Sequence, residues 1–414
     1  MMGWLRNLNE EERKITIEQA AIKCGVPKQA IEKDWWVTLA LKALFQTEYA
    51  PHLLFKGGTS LSKCWKLISR FSEDIDLAID RSLLGFSDNL SRSKIKKLKK
   101  NATEFTSTIL KDALINQLYN LGIPDGIVSV TAEEIKAQQP DKDPQVLFLQ
   151  YPSLFEPLHY LPSIVKIEIS ARSLREPFTN CEVGTMLQEY FPNEVYDEQH
   201  FNVQAIEPHR TFLEKAFLLH EELARPDKLK TERKSRHFYD LVMLMDGIYG
   251  KAALNNMVLY ETIVQHRKLF YQLDGVDYNT HSPDKINFIP QFLDLKRFEN
   301  DYLIMREQMI YGESIPFREL VEKLRELKWR FRGKKPVPLP PGISIKNVFD
   351  KARQNVIMQG LLKNIDESTS LSTPVHYNLD INEPGSTTDV MMSYTVSFVI
   401  SEGELIPDDI QIRT

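Results

Sequence analysis

Three apolar rhythms divide the chain. From about Thr16 to Phe45, TIEQAAIKCGVPKQAIEKDWWVTLALKALF repeats apolar residues at helical spacing, with a break at Gly25-Val26-Pro27, and predicts two helices. Segments with a strand rhythm follow. LLFK (53–56) and VLFLQY (146–151) are short apolar runs, whereas DIDLAI (74–79) and SIVKIEISA (163–171) alternate. Alternation puts Asp74, Asp76 and Ala78 on one face, with Ile75, Leu77 and Ile79 on the other. In the later segment Val165, Ile167 and Ile169 face a core, and Lys166, Glu168 and Ser170 face away from it. Residues from about Arg92 to Leu121 read as helix. From Pro208 the helical rhythm returns in HRTFLEKAFLLHEELAR and SRHFYDLVMLMDGIYG, continuing intermittently to about Phe331.

This order predicts an α/β (α+β) fold: a small mixed β-sheet core with flanking helices, followed by a mainly helical C-terminal half. The expected divisions are N-terminal helices packed on the core (1–50), the core (51–206) and a helical domain (207–331). A proline-rich linker of semi-rigid type, RGKKPVPLPPG (332–342), then leads to a tail (343–414) with a candidate helix and a late β-like run, SYTVSFVI. The helix–turn–helix outline of the N-terminal pair also matches a DNA-reading motif. Trp35, Trp36, Leu39 and Leu41 on its second helix favour packing over base contact.

Composition narrows the picture. With 42% hydrophobic and 26% charged residues among 414, the chain is an ordinary globular one. A net charge of −5 means that attraction to phosphate must come from local basic patches. Three widely spaced cysteines fit a reducing cytoplasm rather than a disulfide framework. No apolar run reaches membrane-spanning length and MMGWLRNLNEEERK lacks the apolar core of a signal peptide, so the expected location is cytoplasmic, with no membrane partner.

The chemistry concentrates in FKGGTSLSKCWKLISRFSEDIDLAI, from Phe55 to Ile79. Two aspartates at i and i+2 on a strand present both carboxylates to one side. They repel each other unless a divalent cation intervenes, and magnesium prefers hard oxygen ligands shared with substrate phosphates. Glu168, mid-strand on a polar face, is the best candidate for a third ligand. Alone, the aspartate pair also suits an exposed edge strand. Gly57-Gly58 would let a triphosphate approach the main chain, with Thr59 and Ser60 as hydroxyl donors and a helix of Leu61, Trp65 and Ile68 behind them. Alone, those four residues also read as a plain turn with an N-cap. The combined order of cradle, helix, Asp-x-Asp strand and later acidic strand is the specific signal.

KGGTSLSK…RFSEDIDL resembles the first motif of the AbiEii/AbiGii-type toxin nucleotidyltransferases, a branch of the DNA polymerase β-like nucleotidyltransferase superfamily. EKDWWVTLALKALF resembles that family's N-terminal helix, and VKIEIS its second motif, with Lys166 and Glu168. TFLEKAFLLHEE resembles the third motif, centred on Lys215, and RHFYDLVML the fourth, centred on Asp240. The resemblance covers roughly residues 15–270 and does not extend to the tail. It implies a magnesium site (Mn2+ serving as an alternative) at Asp74 and Asp76, and triphosphate contacts at Gly57, Gly58 and Ser60. It implies that Lys215 reaches nucleotide phosphates; read as a lone residue, Lys215 is equally an intrahelical partner of Glu214 or Glu222. Asp240, in an apolar helical run, should have a partner such as Lys215 or a bound substrate.

The implied activity is transfer of NMP from an NTP to RNA, at the 3′ end of tRNA, with growth arrest as the consequence and a cognate antitoxin as partner. Two basic clusters, Arg92 to Lys100 and Arg233 to His237, read either as solvated faces or as contacts for an RNA backbone, and Arg233 and Arg236 also as triphosphate ligands. His159, His209 and His220 lack metal-ligand spacing. Two rival readings remain at this level: nucleotidylation of a protein or of the enzyme itself, and a non-enzymatic nucleic-acid binding module.

Overall fold

The computed structural model describes residues 3–87, 90–136, 139, 141–158, 161–171, 177–192, 199–312, 314–333, 345–358, 371–382, 391–401 and 404–412. Seven strands form its principal sheet: β1 (Leu53–Lys56), β2 (Ile75–Ile79), β3 (Ser129–Ala132), β4 (Gln145–Gln150), β5 (Ile164–Ser170), β6 (Phe178–Val183) and β7 (Phe201–Ile206). Their order is β3-β4-β5-β2-β1-β7-β6. The sheet is mixed, because β2 runs parallel to β5 and β1 parallel to β7 while the other neighbours are antiparallel. The α/β reading holds, including the helical half that follows.

The predicted alternation decides which face is covered. Ile75, Leu77, Val165, Ile167 and Ile169 lie in the main core with Phe55 and Leu147, each almost fully buried. The opposite face carries Lys56, Asp76, Lys166 and Glu168, all half-buried. A small apolar group, Leu54, Ala78 and Ile206, seals the far end of that polar face. A row of charges can therefore stand on a sheet whose other side supplies the folding energy.

The helix Lys28–Leu44 is buried on all sides from Ala30 to Leu44. Trp35 meets Trp4 at 4.8 Å and Trp36 at 4.9 Å, and Trp36 stacks on Tyr151 at 5.1 Å. Such a helix has no face free to enter a DNA groove, so the packing alternative prevails over the DNA-reading one. The stretch from Arg92 is continuous to Asn120 as predicted, with a π-helical turn at Thr106–Leu110. The C-terminal half places Pro208–Leu223, Ser235–Met245, Met257–Phe270, Phe292–Gln308 and Phe317–Phe331 as successive helices, among shorter ones.

Several local expectations are corrected. The glycine pair does not precede the helix; it forms its first turn, and the helix Gly57–Lys63 ends before Trp65 and Ile68. Lys66, with φ 51°, breaks the helical path there. Asp74 stands just ahead of β2 rather than within it, where its carbonyl accepts the Thr59 hydroxyl. Strands β3 and β6 were not apparent from sequence, because each pairs on one side only and exposes much of its length. The tail holds the helix Ile345–Met358 and a second sheet of three strands, β8 (Leu371–Asn382), β9 (Met391–Ser401) and β10 (Glu404–Ile412), in which SYTVSFVI is the central strand. The proline-rich linker beyond Gly333 lies outside the described residues, as does His159.

Candidate active site

A cleft of about 410 Å³ opens between the polar face of the sheet and the helices Pro208–Leu223 and Ser235–Met245. Gly57, Gly58, Asp74, Asp76, Lys166, Glu168, Lys215 and Arg236 all line it, so residues spread over 180 positions share one space. Register makes the sheet wall. Asp76 pairs with Lys56 across one edge and with Glu168 across the other, which sets a basic, an acidic and a second acidic side chain in one row.

Asp76 is the electrostatic focus of that row. Burial, then the nearby Glu168 and Asp74 carboxylates, push its pKa up to about 7, against the pull of Lys56 and Arg236. Its carboxylate also abuts the glycine turn. A Cβ on Gly57 would stand 2.0 Å from Asp76 Oδ2, and Gly57 has φ +78°, so a side chain is excluded there by both contact and backbone conformation. A Cβ on Gly58 would meet Arg70 Nη2 at 2.6 Å and Ser72 Oγ at 2.8 Å. The two glycines thus let the chain pass against an acid on one side and a guanidinium on the other.

Asp240 is fully buried and supplies the partner that burial demands. Arg70 binds it through Nε (2.7 Å) and Nη2 (2.8 Å), and Lys215 Nζ lies 2.8 Å from Oδ2. Burial alone would raise its pKa, but Arg70 and Lys215 outweigh that and hold it at about 2. Lys215 therefore pairs with Asp240 and not with Glu214 or Glu222 on its own helix. Burial lowers the Lys215 pKa, opposed by Asp240 and aided by Arg70. Asp240 does not line the cleft itself; it fixes two cations that do.

Other predicted residues take different positions. Thr59 and Ser60 are buried within the helix Gly57–Lys63 and do not line the cleft; the Thr59 hydroxyl is used on the Asp74 carbonyl and on Ser72 Oγ at 2.9 Å. Thr59 thereby holds the turn that carries Asp74. Lys166 is ion-paired with Glu168. Arg236 Nη1 lies 3.2 Å from Asp74 Oδ2, at the mouth of the aspartate pair. Arg233 instead binds Glu73. Among the histidines, His220 sits between Asn287 and Thr280, away from the cleft.

Four contributors escaped the sequence reading. Lys56 lines the cleft and makes no ion pair among the described residues; burial would lower its pKa, and Glu214, with Tyr271 and Asp76, raises it instead. Arg70 is the second cation on Asp240. Glu214 lines the cleft, and although burial would raise its pKa, Arg210, Lys56 and Arg267 bring it to about 2. Lys33 ties the N-terminal helix to Glu73, one residue before Asp74, and also donates to the Pro162 carbonyl at 2.8 Å. Within EKD, consecutive buried charges bind three separate places. Glu32 takes Ser153 and Leu154, Lys33 takes Glu73, and Asp34 takes Lys63 and the Met186 N–H. Only the family-like EKDWW string hinted at this.

The donor set suits a hard divalent cation. Asp74 and Asp76 offer carboxylate oxygens, and the raised proton affinity of Asp76 marks a site that gains from a positive ion. Among the described residues no three His, Cys, Asp or Glu side chains converge as a ready-made cage. Glu168, held by Lys166, completes no such cage as it stands. Two acids plus substrate oxygens is a common arrangement for magnesium.

No helix among the described residues is long and apolar enough to cross a membrane. No curated protein matches the chain. A family model does, and its description reads nucleotidyl transferase AbiEii toxin, Type IV TA system. The match runs from residue 39 to residue 332, taking in every strand of the large sheet and every residue that lines the cleft. The chain belongs to that family: it is a nucleotidyl transferase of the AbiEii toxin kind, from a Type IV toxin–antitoxin system.

Proposed function

We propose that the enzyme transfers NMP from an NTP to an RNA acceptor, the 3′ end of tRNA, with a magnesium ion at Asp74 and Asp76. The contact between Gly57 and the Asp76 carboxylate carries this reading. It sets Asp76 against the stretch of backbone on which a polyphosphate would lie, and Asp74, Arg70, Lys215 and Arg236 line the same cleft. Glu168 is the third carboxylate of the set, available once its Lys166 partner turns to phosphate.

In the reaction, an acceptor hydroxyl oxygen forms a bond to the α-phosphorus as its proton passes to solvent, and the bond to pyrophosphate breaks. When bound, the metal supplies charge neutralisation between the acids and the phosphates. Lys215 and Arg70, preset by Asp240, face the charge that grows on the leaving pyrophosphate. Arg236 holds Asp74 at the entrance and joins the triphosphate. The family implies a cognate antitoxin as partner, and it supports a cytoplasmic location.

The test is incubation with each α-labelled NTP and total tRNA, in magnesium and in manganese. The expected result is label on RNA that disappears in Asp74→Ala and Asp76→Ala. Label on polypeptide would move the acceptor from RNA to protein, and no transfer with any nucleotide would sink the reading.

A further inference from the structure

The helix Arg92–Phe105 breaks two local rules at once. Its first turn contains no acid, and Arg92, Lys94, Lys96 and Lys97 crowd the N-terminal turns, where the helix dipole disfavours positive charge. Its cations also repeat at like-charge spacings: Arg92, Lys96 and Lys100 at i,i+4, and Lys94, Lys97 and Lys100 at i,i+3. Solvated helix faces usually mix both signs so that neighbours attract. Here Arg92, Lys94, Lys96, Lys97 and Lys100 are all exposed and make no ion pair among the described residues. The opposite face is ordinary, with Ile95, Leu98 and Ala102 buried in the core. A net-negative protein therefore holds, at a cost to its own helix, a face of uncompensated positive charge. A local rule broken without local compensation is the mark of a functional surface.

Its place supports the same view. Lys99, on the flank of this face, donates to the Phe270 carbonyl at 2.8 Å, and the next residue, Tyr271, lines the cleft. Arg81, just beyond β2, lies over the Phe270 ring at 4.9 Å. The basic helix is thus anchored at the wall of the cleft. From Arg92 to Lys100 the face is about 12 Å long at 1.5 Å per residue, enough to meet successive phosphates of a nucleic-acid backbone.

We infer that the exposed face of Arg92, Lys96, Lys97 and Lys100 is the docking surface for the phosphate backbone of the acceptor RNA, outside the cleft and beside Tyr271. This rests on the RNA reading above but is tested apart from catalysis. Phosphate contacts of this kind hold a strand in register without reading its bases. The cluster would accordingly set RNA affinity while the cleft alone sets NTP affinity.

The experiment compares the full chain with Lys96→Gln/Lys97→Gln/Lys100→Gln. Binding of a fluorescein-labelled tRNA transcript is followed by anisotropy over a range of salt, with equilibrium dialysis of NTP in parallel. The variant should bind RNA at least about tenfold more weakly, and the slope of log K against log salt should fall by about 2, from three lost contacts at roughly 0.7 each. NTP affinity should stay as in the parent, and the melting temperature should hold or rise, because like-charge repulsion is relieved. Unchanged RNA affinity and slope would overturn the inference, as would preferential binding to anionic vesicles or polyglutamate. A fall in melting temperature would show the cations to be satisfied within the fold and would also overturn it. If the parent binds RNA through this face yet transfers no nucleotide, the docking surface stands and the reaction assigned above falls.

Discussion

At the scale of single residues, the site depends on atoms that are missing as much as on those present. Gly57 has no Cβ, and that gap is where Asp76 sits. Gly57→Ala should cut nucleotide transfer by a factor of about 100 or more, because the new methyl must displace the carboxylate and also accept a left-handed backbone costing about 1–2 kcal/mol. Transfer rates beside a circular-dichroism melt check this; a variant that keeps full activity would show that Asp76 does not work from its observed position. Lys56 tests the opposite feature, a cation present without an ion-pair partner among the described residues. Lys56→Met should leave the fold intact and raise the KM for NTP about tenfold, on the order of one charge-assisted hydrogen bond to phosphate. A KM within a factor of two of the parent would remove Lys56 from substrate binding.

At the scale of elements, what the sequence revealed and what it hid have a common cause. Alternation in DIDLAI and KIEIS was legible because a sheet covered on one face must separate apolar from polar residues at period two. The outcome is Asp76 beside Glu168 on the polar face that lines the cleft. The strand edges β3 and β6 left no such trace, since an edge in contact with water needs no apolar rhythm. Burial of charge was hidden for a different reason. Glu32, Lys33, Asp34, Arg70 and Glu73 look in sequence like any solvated acids and bases, yet each is almost fully buried against a partner between 29 and 170 positions away. Spacing along one helix cannot reveal a partner on another element. The Lys33–Glu73–Arg233 group illustrates what this does mechanically: it ties the N-terminal helix and the turn before helix Ser235–Met245 to the residue preceding Asp74. Glu73→Gln should therefore destabilise the protein by about 3–5 kcal/mol, because Lys33 and Arg233 lose their shared carboxylate and Lys33, whose pKa burial already lowers to about 7, must give up its proton in the interior. Urea denaturation measures it, and a loss below about 1 kcal/mol would mean that water already reaches Lys33.

At the scale of the whole molecule, the cleft is a junction where sheet and helices meet through acids whose pKa values are strongly displaced, and this should be visible in acid. Asp240 and Glu214 are both held at about 2 in the folded chain, well below the usual range for carboxylates, by the cations around them. As pH falls from about 4.5, the unfolded chain takes up protons at these two positions that the native chain refuses. Stability from both groups is thus complete above the unfolded pKa values and is lost progressively as pH falls toward 2, at up to roughly 1.4 kcal/mol per pH unit for each proton. Asp240→Asn removes one of these protons from the balance while leaving Arg70 and Lys215 without their carboxylate. The variant should be less stable at pH 7, yet its stability should fall less steeply between pH 4.5 and 2 than that of the parent. Equilibrium unfolding in urea at fixed ionic strength, repeated across that range, separates the two effects. Parallel acid limbs for parent and variant would show that Asp240 titrates as an ordinary aspartate, and that the two cations do not converge on it in solution.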